Sequence, residues 1–327
     1  MCDDPGVDHG PPPVPILQRG GLKALPGEIR PREGRAWLVD WQGTRGILRR
    51  SAAPASATSL ARLTDDVTWL HVFLTRLAGL GFPSPRPLPS FDGESWTVTD
   101  GMLWEAVSFL PGQAVGWAAE PSMEEIGALL GRYHVTVRRI EVTGQRPSAL
   151  PLADVPGILL SARLEAARVS PDTVTVIRHL AARLARDLSA ARPSDGERVI
   201  IHGDFTSDNV VADGTPPRPA GVIDFALAHA ETPLADIGYG LWRSGRPHEE
   251  ADHLDLHRVR RFLRGYAAAA PISADEAHVI PVYLRGRGLQ MIAKRLRAGR
   301  ADTHMLAEVR WLTAHAAAVG DAIAAAV

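Results

Sequence analysis

A change of hydrophobic period partway along the chain limits the folds open to it. Up to about residue 110, apolar side chains come in short runs: Leu22 to Leu25, Ala36 to Trp41, Gly46 to Arg49, Ser95 to Thr99 and Leu103 to Phe109. These runs suit the two-residue period of strands, and the turn at Gln42-Gly43-Thr44 makes the second and third a meander. One amphipathic stretch, Asp66 to Leu80 with Val67, Leu70, Leu74 and Leu77 on one face, predicts a helix stopped by Gly79, Gly81 and the prolines at 83, 85 and 87. Beyond about residue 120 the spacing becomes helical. Ser122-Met123-Glu124-Glu125 reads as a capping box before Ile126, Leu129, Leu130, Tyr133 and Val137. Ser170-Pro171 opens a second stripe of Val174, Ile177, Leu180, Leu184 and Leu188. Short β-branched runs at Val199 to Ile201, Asn209 to Val211 and Gly221 to Ile223 interrupt the helices, which resume from residue 250. The expected architecture is α/β (α+β) and two-lobed. Residues 1–21 form a loose leader rich in proline and glycine, residues 22–110 a small antiparallel sheet lobe, and residues 111–327 a larger, mainly helical lobe.

Length agrees with two lobes, because 327 residues exceed what one core usually serves. A cleft between lobes is where small ligands bind. With 36 basic against 37 acidic residues, a net charge of −1 creates no field for nucleic acid or an anionic membrane. Cys2 is the only cysteine, which excludes an internal disulfide and a thiolate zinc cluster. The start Met1-Cys2-Asp3-Asp4-Pro5 lacks a basic, apolar secretory pattern, and no apolar run is long enough to span a bilayer. A cytoplasmic location and a small-molecule partner are expected.

The chemistry-bearing stretch is Ile201-His202-Gly203-Asp204-Phe205-Thr206-Ser207-Asp208-Asn209-Val210, followed by Ile223-Asp224-Phe225. Two strand ends there present oxygen-bearing side chains to one point. Phosphoryl transfer needs an aligned hydroxyl, a metal bridging phosphate oxygens and cations around the moving charge. A carboxylate such as Asp204 can accept a hydroxyl proton, while Asn209 and Asp224 offer hard oxygens to a cation. Any one of these residues alone would more often be a turn or cap residue. The joint spacing is what carries the reading.

This string resembles the signature of the aminoglycoside phosphotransferase and choline kinase superfamily, whose fold is that of the protein kinases. The resemblance implies ATP or GTP with Mg2+, Asp204 as catalytic base, Asn209 and Asp224 as catalytic metal ligands, and His202 as a support for the loop. It extends to Thr232-Pro233-Leu234-Ala235-Asp236-Ile237-Gly238, where Asp236 would brace that loop. It also puts Gly46-Ile47-Leu48-Arg49 on the third strand, with Ile47 against the adenine and Arg49 on the phosphates. Lys23 and Lys294 are the only lysines, so an arginine takes the cation's role. Backbone groups of Ser108 and Leu110 would meet the adenine edge. The loop Pro26 to Gly34 could cover phosphates. Where the family carries a helix glutamate, this chain has Leu70, and Asp66, one turn earlier, is the substitute.

The activity implied is a small-molecule O-phosphotransferase acting on a hydroxyl-bearing acceptor, with an aminoglycoside-like antibiotic as first choice. The alternatives are a metabolic kinase for homoserine, choline, a sugar or a similar alcohol, and an inactive nucleotide-binding module. A protein kinase is disfavoured because no Ala-Pro-Glu pattern follows Asp224. Two charge clusters bear on the acceptor. Glu249, Glu250, Asp252 and Asp255 would attract a polycation, whereas Arg285, Arg287, Lys294, Arg295, Arg297 and Arg300 would suit an anion, and either could be a solvated helix face. His134, His248, His253 and His257 read as structural. The tryptophans read as packing residues, with Trp242 a candidate border of the acceptor site.

Overall fold

Alternation in the first third of the chain becomes a five-stranded antiparallel sheet in the computed structural model. The structure describes residues 11–28, 35–51, 54, 56–116, 123–141, 144–161, 170–191, 197–248, 250–297 and 304–327. The chain divides into two compact units, Met1–Pro111 and Gly112–Val327.

In the first unit a short helix α1 (Val14–Gly20) leads into β1 (Leu22–Glu28), β2 (Arg35–Trp41) and β3 (Thr44–Arg50). Helix α2 (Ala57–Gly79) follows, then β4 (Trp96–Thr99) and β5 (Met102–Ser108). The sheet order is β1-β2-β3-β5-β4. Trp41 pairs with Thr44, so Gln42 and Gly43 alone make the β2–β3 turn, both with positive φ (52° and 82°), which suits the twist of a two-residue hairpin. Leu48, Val39, Trp104 and Ala106 pack one core cluster with Leu88 and Phe91.

Ile16 and Leu22 belong to that same cluster. The expectation of a loose leader through residue 21 is therefore corrected for 14–20. Pro13 and Pro15 pre-set the first turn, left-handed Gly21 closes the last, and one buried side chain anchors the helix. Seven residues are too few for a period to show. Helix α2 also begins earlier than expected, at Ala57, because Ser56 Oγ accepts the Ser59 N–H at 3.1 Å.

The second unit starts with the short β6 (Gln113–Ala114), followed by α3 (Met123–Val137), α4 (Val155–Ser161) and α5 (Pro171–Ala191). It then runs through β7 (Val199–Ile201), β8 (Val210–Asp213), β9 (Arg218–Val222) and β10 (His229–Glu231). Helices α6 (Pro233–Ser244), α7 (Leu256–Ala269), α8 (Ala274–Arg297), α9 (His304–Ala314) and α10 (Ala316–Ala324) complete it. β7 pairs with β10, and β6, β8 and β9 form a second small sheet, so the motif loops spring from two adjacent ribbons. Ser170 caps α5 as expected. Ser122, Trp117, Glu249, Arg300 and the loop residues 29–34 lie outside the described residues.

Candidate active site

The loop that carries Asp204 is tied at its start to a buried carboxylate. Thr232 caps α6, Pro233 occupies its first turn, and Asp236 then faces inward with no solvent exposure. Its two oxygens accept the backbone N–H groups of His202 at 2.7 Å and Gly203 at 2.8 Å. His134 of α3 donates through Nε2 to the same carboxylate at 3.2 Å, and its Nδ1 takes the Tyr266 hydroxyl at 2.8 Å. Burial would push the Asp236 carboxyl up, but the His134 bond, the nearby imidazoles and the His202 N–H hold it below its ordinary value. Burial likewise pushes His134 below the usual imidazole value, against the pull of Asp236. The pair is a neutral imidazole on an ionised carboxylate. Asp236 thus braces the loop, and His134 is structural, as read from the sequence.

His202 ties the two motif segments together. Its Nδ1 accepts the Asp204 N–H at 3.2 Å and its Nε2 donates to the Ile223 carbonyl at 2.9 Å, which fixes the tautomer. Gly203 has φ of +74°, and a Cβ there would stand 2.2 Å from the Leu227 carbonyl oxygen. Only glycine fits that bend. Asn209 ends a single 3-10 turn over residues 207–209, and its Nδ2 donates to the Asp204 carbonyl at 2.8 Å and to Asp204 Oδ2 at 3.1 Å. Its backbone carbonyl accepts the Ile223 N–H at 2.9 Å. Asp204, Asn209 and the residue before Asp224 are therefore joined by direct hydrogen bonds.

Asp224 itself adopts a left-handed backbone, φ 61° and ψ 63°, a conformation costly for a non-glycine residue and concentrated at functional sites. Among the described residues no three His, Cys, Asp or Glu side chains gather into a metal cage. The donor set fits a different kind of ion site. With the Asn209 amide nitrogen spent on Asp204, its oxygen is the remaining ligand atom, and the Asp224 carboxylate adds a charged one. One or two protein oxygens completed by phosphates and water is how Mg2+ is usually held.

Two residues not singled out as site residues in the sequence surround Asp204. The Tyr239 hydroxyl donates to Asp204 Oδ1. Burial, opposed by Arg287 and reinforced by Asp204, raises the tyrosine pKa to about 12, so it remains a donor. Arg287 of α8 lies with its guanidinium carbon 3.6 Å from the Tyr239 ring centre, Nη2 3.0 Å from the Gly203 carbonyl and 3.9 Å from Asp204 Oδ1. Tyr239 could have been found three residues after Asp236, on the same helix face. In the sequence Arg287 is only one member of a basic stretch. Arg146 holds the Phe225 and Ala226 carbonyls just after Asp224. Trp242 is buried, its ring 5.9 Å from that of Tyr239.

In the first unit, Ile47 and Arg49 share a face of β3 while Leu48 points into the core. Arg49 Nε lies 3.8 Å from Glu105 Oε1, its partner across the β3–β5 ladder. His71 of α2 bonds the other oxygen of Glu105 at 2.9 Å and Ser95 at 2.6 Å. Glu105 is a carboxylate the sequence reading missed, since it comes from a strand rather than the helix. Asp66 is buried on α2 beside Val67 and Leu70. The Ser108 N–H is committed to the Arg86 carbonyl at 2.7 Å and the Phe109 N–H to Arg45 at 2.9 Å.

The fold with a small antiparallel sheet and a larger helical part is that of the protein-kinase-like small-molecule kinases. The amicoumacin kinase in complex with AMP-PNP, Ca2+ and Ami superposes with a TM-score of 0.62 at 18% identity, covering 92% of this chain and 88% of that one. A microcompartment-associated aminopropanol kinase superposes at 0.61 with 17% identity, covering 91% and 93%. The chain belongs to the Phosphotransferase enzyme family, which it matches over residues 28–272. It is similar to a homoserine kinase of Rhodopseudomonas palustris, 29% identical over 238 residues, or 71% of this chain and 68% of the relative.

Proposed function

We propose that this phosphotransferase moves the terminal phosphoryl group of ATP, with Mg2+, to the hydroxyl of a small metabolite alcohol. The observation that carries this is the hydrogen-bonded group of Asp204, Asn209 and the Ile223-Asp224 segment, braced from below by Asp236. The acceptor hydroxyl hydrogen-bonds to Asp204. As its oxygen bonds to the γ-phosphorus, the bond from that phosphorus to the β–γ bridging oxygen breaks, the hydroxyl proton passes to Asp204, and ADP leaves. Tyr239 and Asn209 hold the carboxylate in place for this step. Mg2+, held by Asn209 and Asp224, would neutralise charge on the phosphates. In the first unit, Ile47 is assigned to the adenine face and Arg49 to the phosphates, kept oriented by Glu105, with Asp66 a further carboxylate for that cation. Since the Ser108 N–H is spent, Ser108 would offer its carbonyl and Leu110 its N–H to the adenine edge.

Similarity to a homoserine kinase and to an aminopropanol kinase favours a small hydroxyl-bearing acceptor over an aminoglycoside. The antibiotic reading survives as a second choice because an amicoumacin kinase shares the fold. ADP release measured across homoserine, 3-amino-1-propanol, choline and aminoglycosides separates the two. Asp204→Asn should lower turnover of the accepted substrate about 10²- to 10⁴-fold while AMP-PNP still binds. Unchanged turnover in that variant would remove Asp204 from the chemistry and the reading with it.

A further inference from the structure

One side of the catalytic loop opens onto a cavity whose charge has a single sign. It measures about 30 Å3, and its lining includes Arg146, Arg287 and Lys294 together with Ser148, His229 and Gln290. Among the described residues no aspartate or glutamate lines it. The cavity is adjacent to the chemistry, because the guanidinium that forms part of its wall also bonds Gly203 and stands 3.9 Å from Asp204.

Arg287 is almost wholly buried, yet its charge is incompletely matched. Of its five donors, Nη1 serves Gln290 Oε1 and Nη2 the Gly203 carbonyl, both uncharged, while Nε is buried with no hydrogen-bond partner among the described residues. A buried cation with surplus donors is costly unless an anion completes it. Asp204 approaches at 3.9 Å, too far for a hydrogen bond, and is the base that takes the hydroxyl proton. Lys294, two turns along α8 from Arg287, puts a second cation on the same cavity. The basic stretch on this helix is thus not a solvated face at its start: Arg285 is bonded to Asp187 at 2.9 Å, and Arg287 is interior. Within the acidic stretch Asp255 caps α7, and Asp252 lies beside His253.

We propose that this cavity binds an anionic group of the acceptor, a carboxylate set a few bonds from the hydroxyl that is phosphorylated. The inference rests on the kinase reading and narrows its substrate to hydroxy acids and hydroxy amino acids. An aminoglycoside, uniformly cationic, is the wrong charge for it. A carboxylate suits the basic lining and the small volume; a phosphate monoester shares the chemistry and is separated by the test.

The experiment uses the full chain and matched probes: homoserine against 3-amino-1-propanol, 4-hydroxybutyrate against 1,4-butanediol, and glycerol 1-phosphate as the phosphate arm. Thermal stabilisation with Mg·AMP-PNP reads binding, and ADP release with Mg·ATP reads turnover. The carboxylates should stabilise the protein more than their uncharged or cationic counterparts and should show a kcat/KM about tenfold higher or more, the worth of one charge-assisted hydrogen bond. Lys294→Met should raise KM for the carboxylates about tenfold, with little change in KM for 3-amino-1-propanol, so that the preference collapses. Arg295→Met, at an exposed neighbour that does not line the cavity, should leave the preference intact. A greater stabilisation by glycerol 1-phosphate than by homoserine, lost in Lys294→Met, assigns the anion as a phosphate ester.

Equal binding and equal kcat/KM for charged and uncharged probes would overturn the proposal and leave the kinase reading standing. So would a Lys294→Met enzyme with wild-type preference, its folding checked by its AMP-PNP response. Carboxylate binding that depends on Lys294 without turnover of any acceptor would do the reverse.

Discussion

Asp236 shows how far a single side chain can organise the site: one carboxylate holds two consecutive backbone N–H groups and a histidine, all fully buried. Its protonation state is therefore a stability statement. His134 sits below the ordinary imidazole value of about 6.5, so between its folded value and 6.5 the unfolded chain binds a proton that the folded chain does not. Stability from this residue is complete above about pH 6.5 and declines as the pH falls below it. Asp236, also depressed, adds stability that is present above the ordinary carboxylate range and is lost only as the pH falls further, through its lowered folded value. Chemical denaturation between pH 7.5 and 5 should show His134→Gln with a shallower loss of stability on acidification than the wild-type chain. An identical slope in the two proteins would mean that the imidazole titrates alike in the folded and the unfolded chain. Asp236 and His202 could be assigned because each sits inside a short string that resembles the family's signature, although the two meet across 34 residues. Glu105, Tyr239 and Arg287 lie outside those strings, and each reaches its partner only after the chain folds back. Arg49 meets Glu105 across a strand pairing 56 residues apart, and Arg287 meets Gly203 across 84.

Elements succeed or fail as readable signals by length and by what they pack against. The five strands and α2 were recognised because alternation and a 3.6-residue stripe survive over many residues, while α1 and the short β6 and β10 offer too few positions for either. The contact between α3 and α7 was invisible for another reason. It depends on residues without side chains: a Cβ on Gly265 would lie 1.8 Å from the Glu124 carbonyl oxygen, and one on Gly127 1.9 Å from that of Phe262. The two helices therefore touch backbone to backbone, which also brings Tyr266 of α7 up to His134 of α3. Gly265→Ala must push the helices apart, because the obstacle is backbone and no rotamer can move it. A loss of about 1–3 kcal/mol, or more, is expected in urea unfolding. Gly157→Ala serves as the comparison, since a Cβ there meets nothing within 4 Å. Equal stability of Gly265→Ala and the wild-type chain would show that the helices are not held at this spacing.

For the whole molecule, the family match ends at residue 272, just before α8. The residues proposed to handle phosphate, with Asp236 and Tyr239, lie inside the matched stretch, while Arg287 and Lys294 lie beyond it on α8. That division explains why the reaction class could be read from the sequence while the acceptor could not. The string around Asp204 is the part that resembles the family's signature, whereas the proposed acceptor contacts lie on a helix recognisable only by its folded neighbours. The separation also makes the nucleotide's contribution measurable alone. A ligand present at about 100 times its Kd stabilises the folded state by about 2.7 kcal/mol. In a chain of this size that corresponds to a Tm rise of roughly 1–2 °C per kcal/mol. Mg·AMP-PNP should thus raise the Tm of the wild-type chain and of Asp204→Asn by similar amounts, since Asp204 is assigned to the hydroxyl and not to the metal. Asp224→Asn should lose the part of the shift that depends on Mg2+, keeping at most what AMP-PNP gives with EDTA present. A full Mg2+-dependent shift in Asp224→Asn would separate this carboxylate from the metal and leave its left-handed backbone without a function.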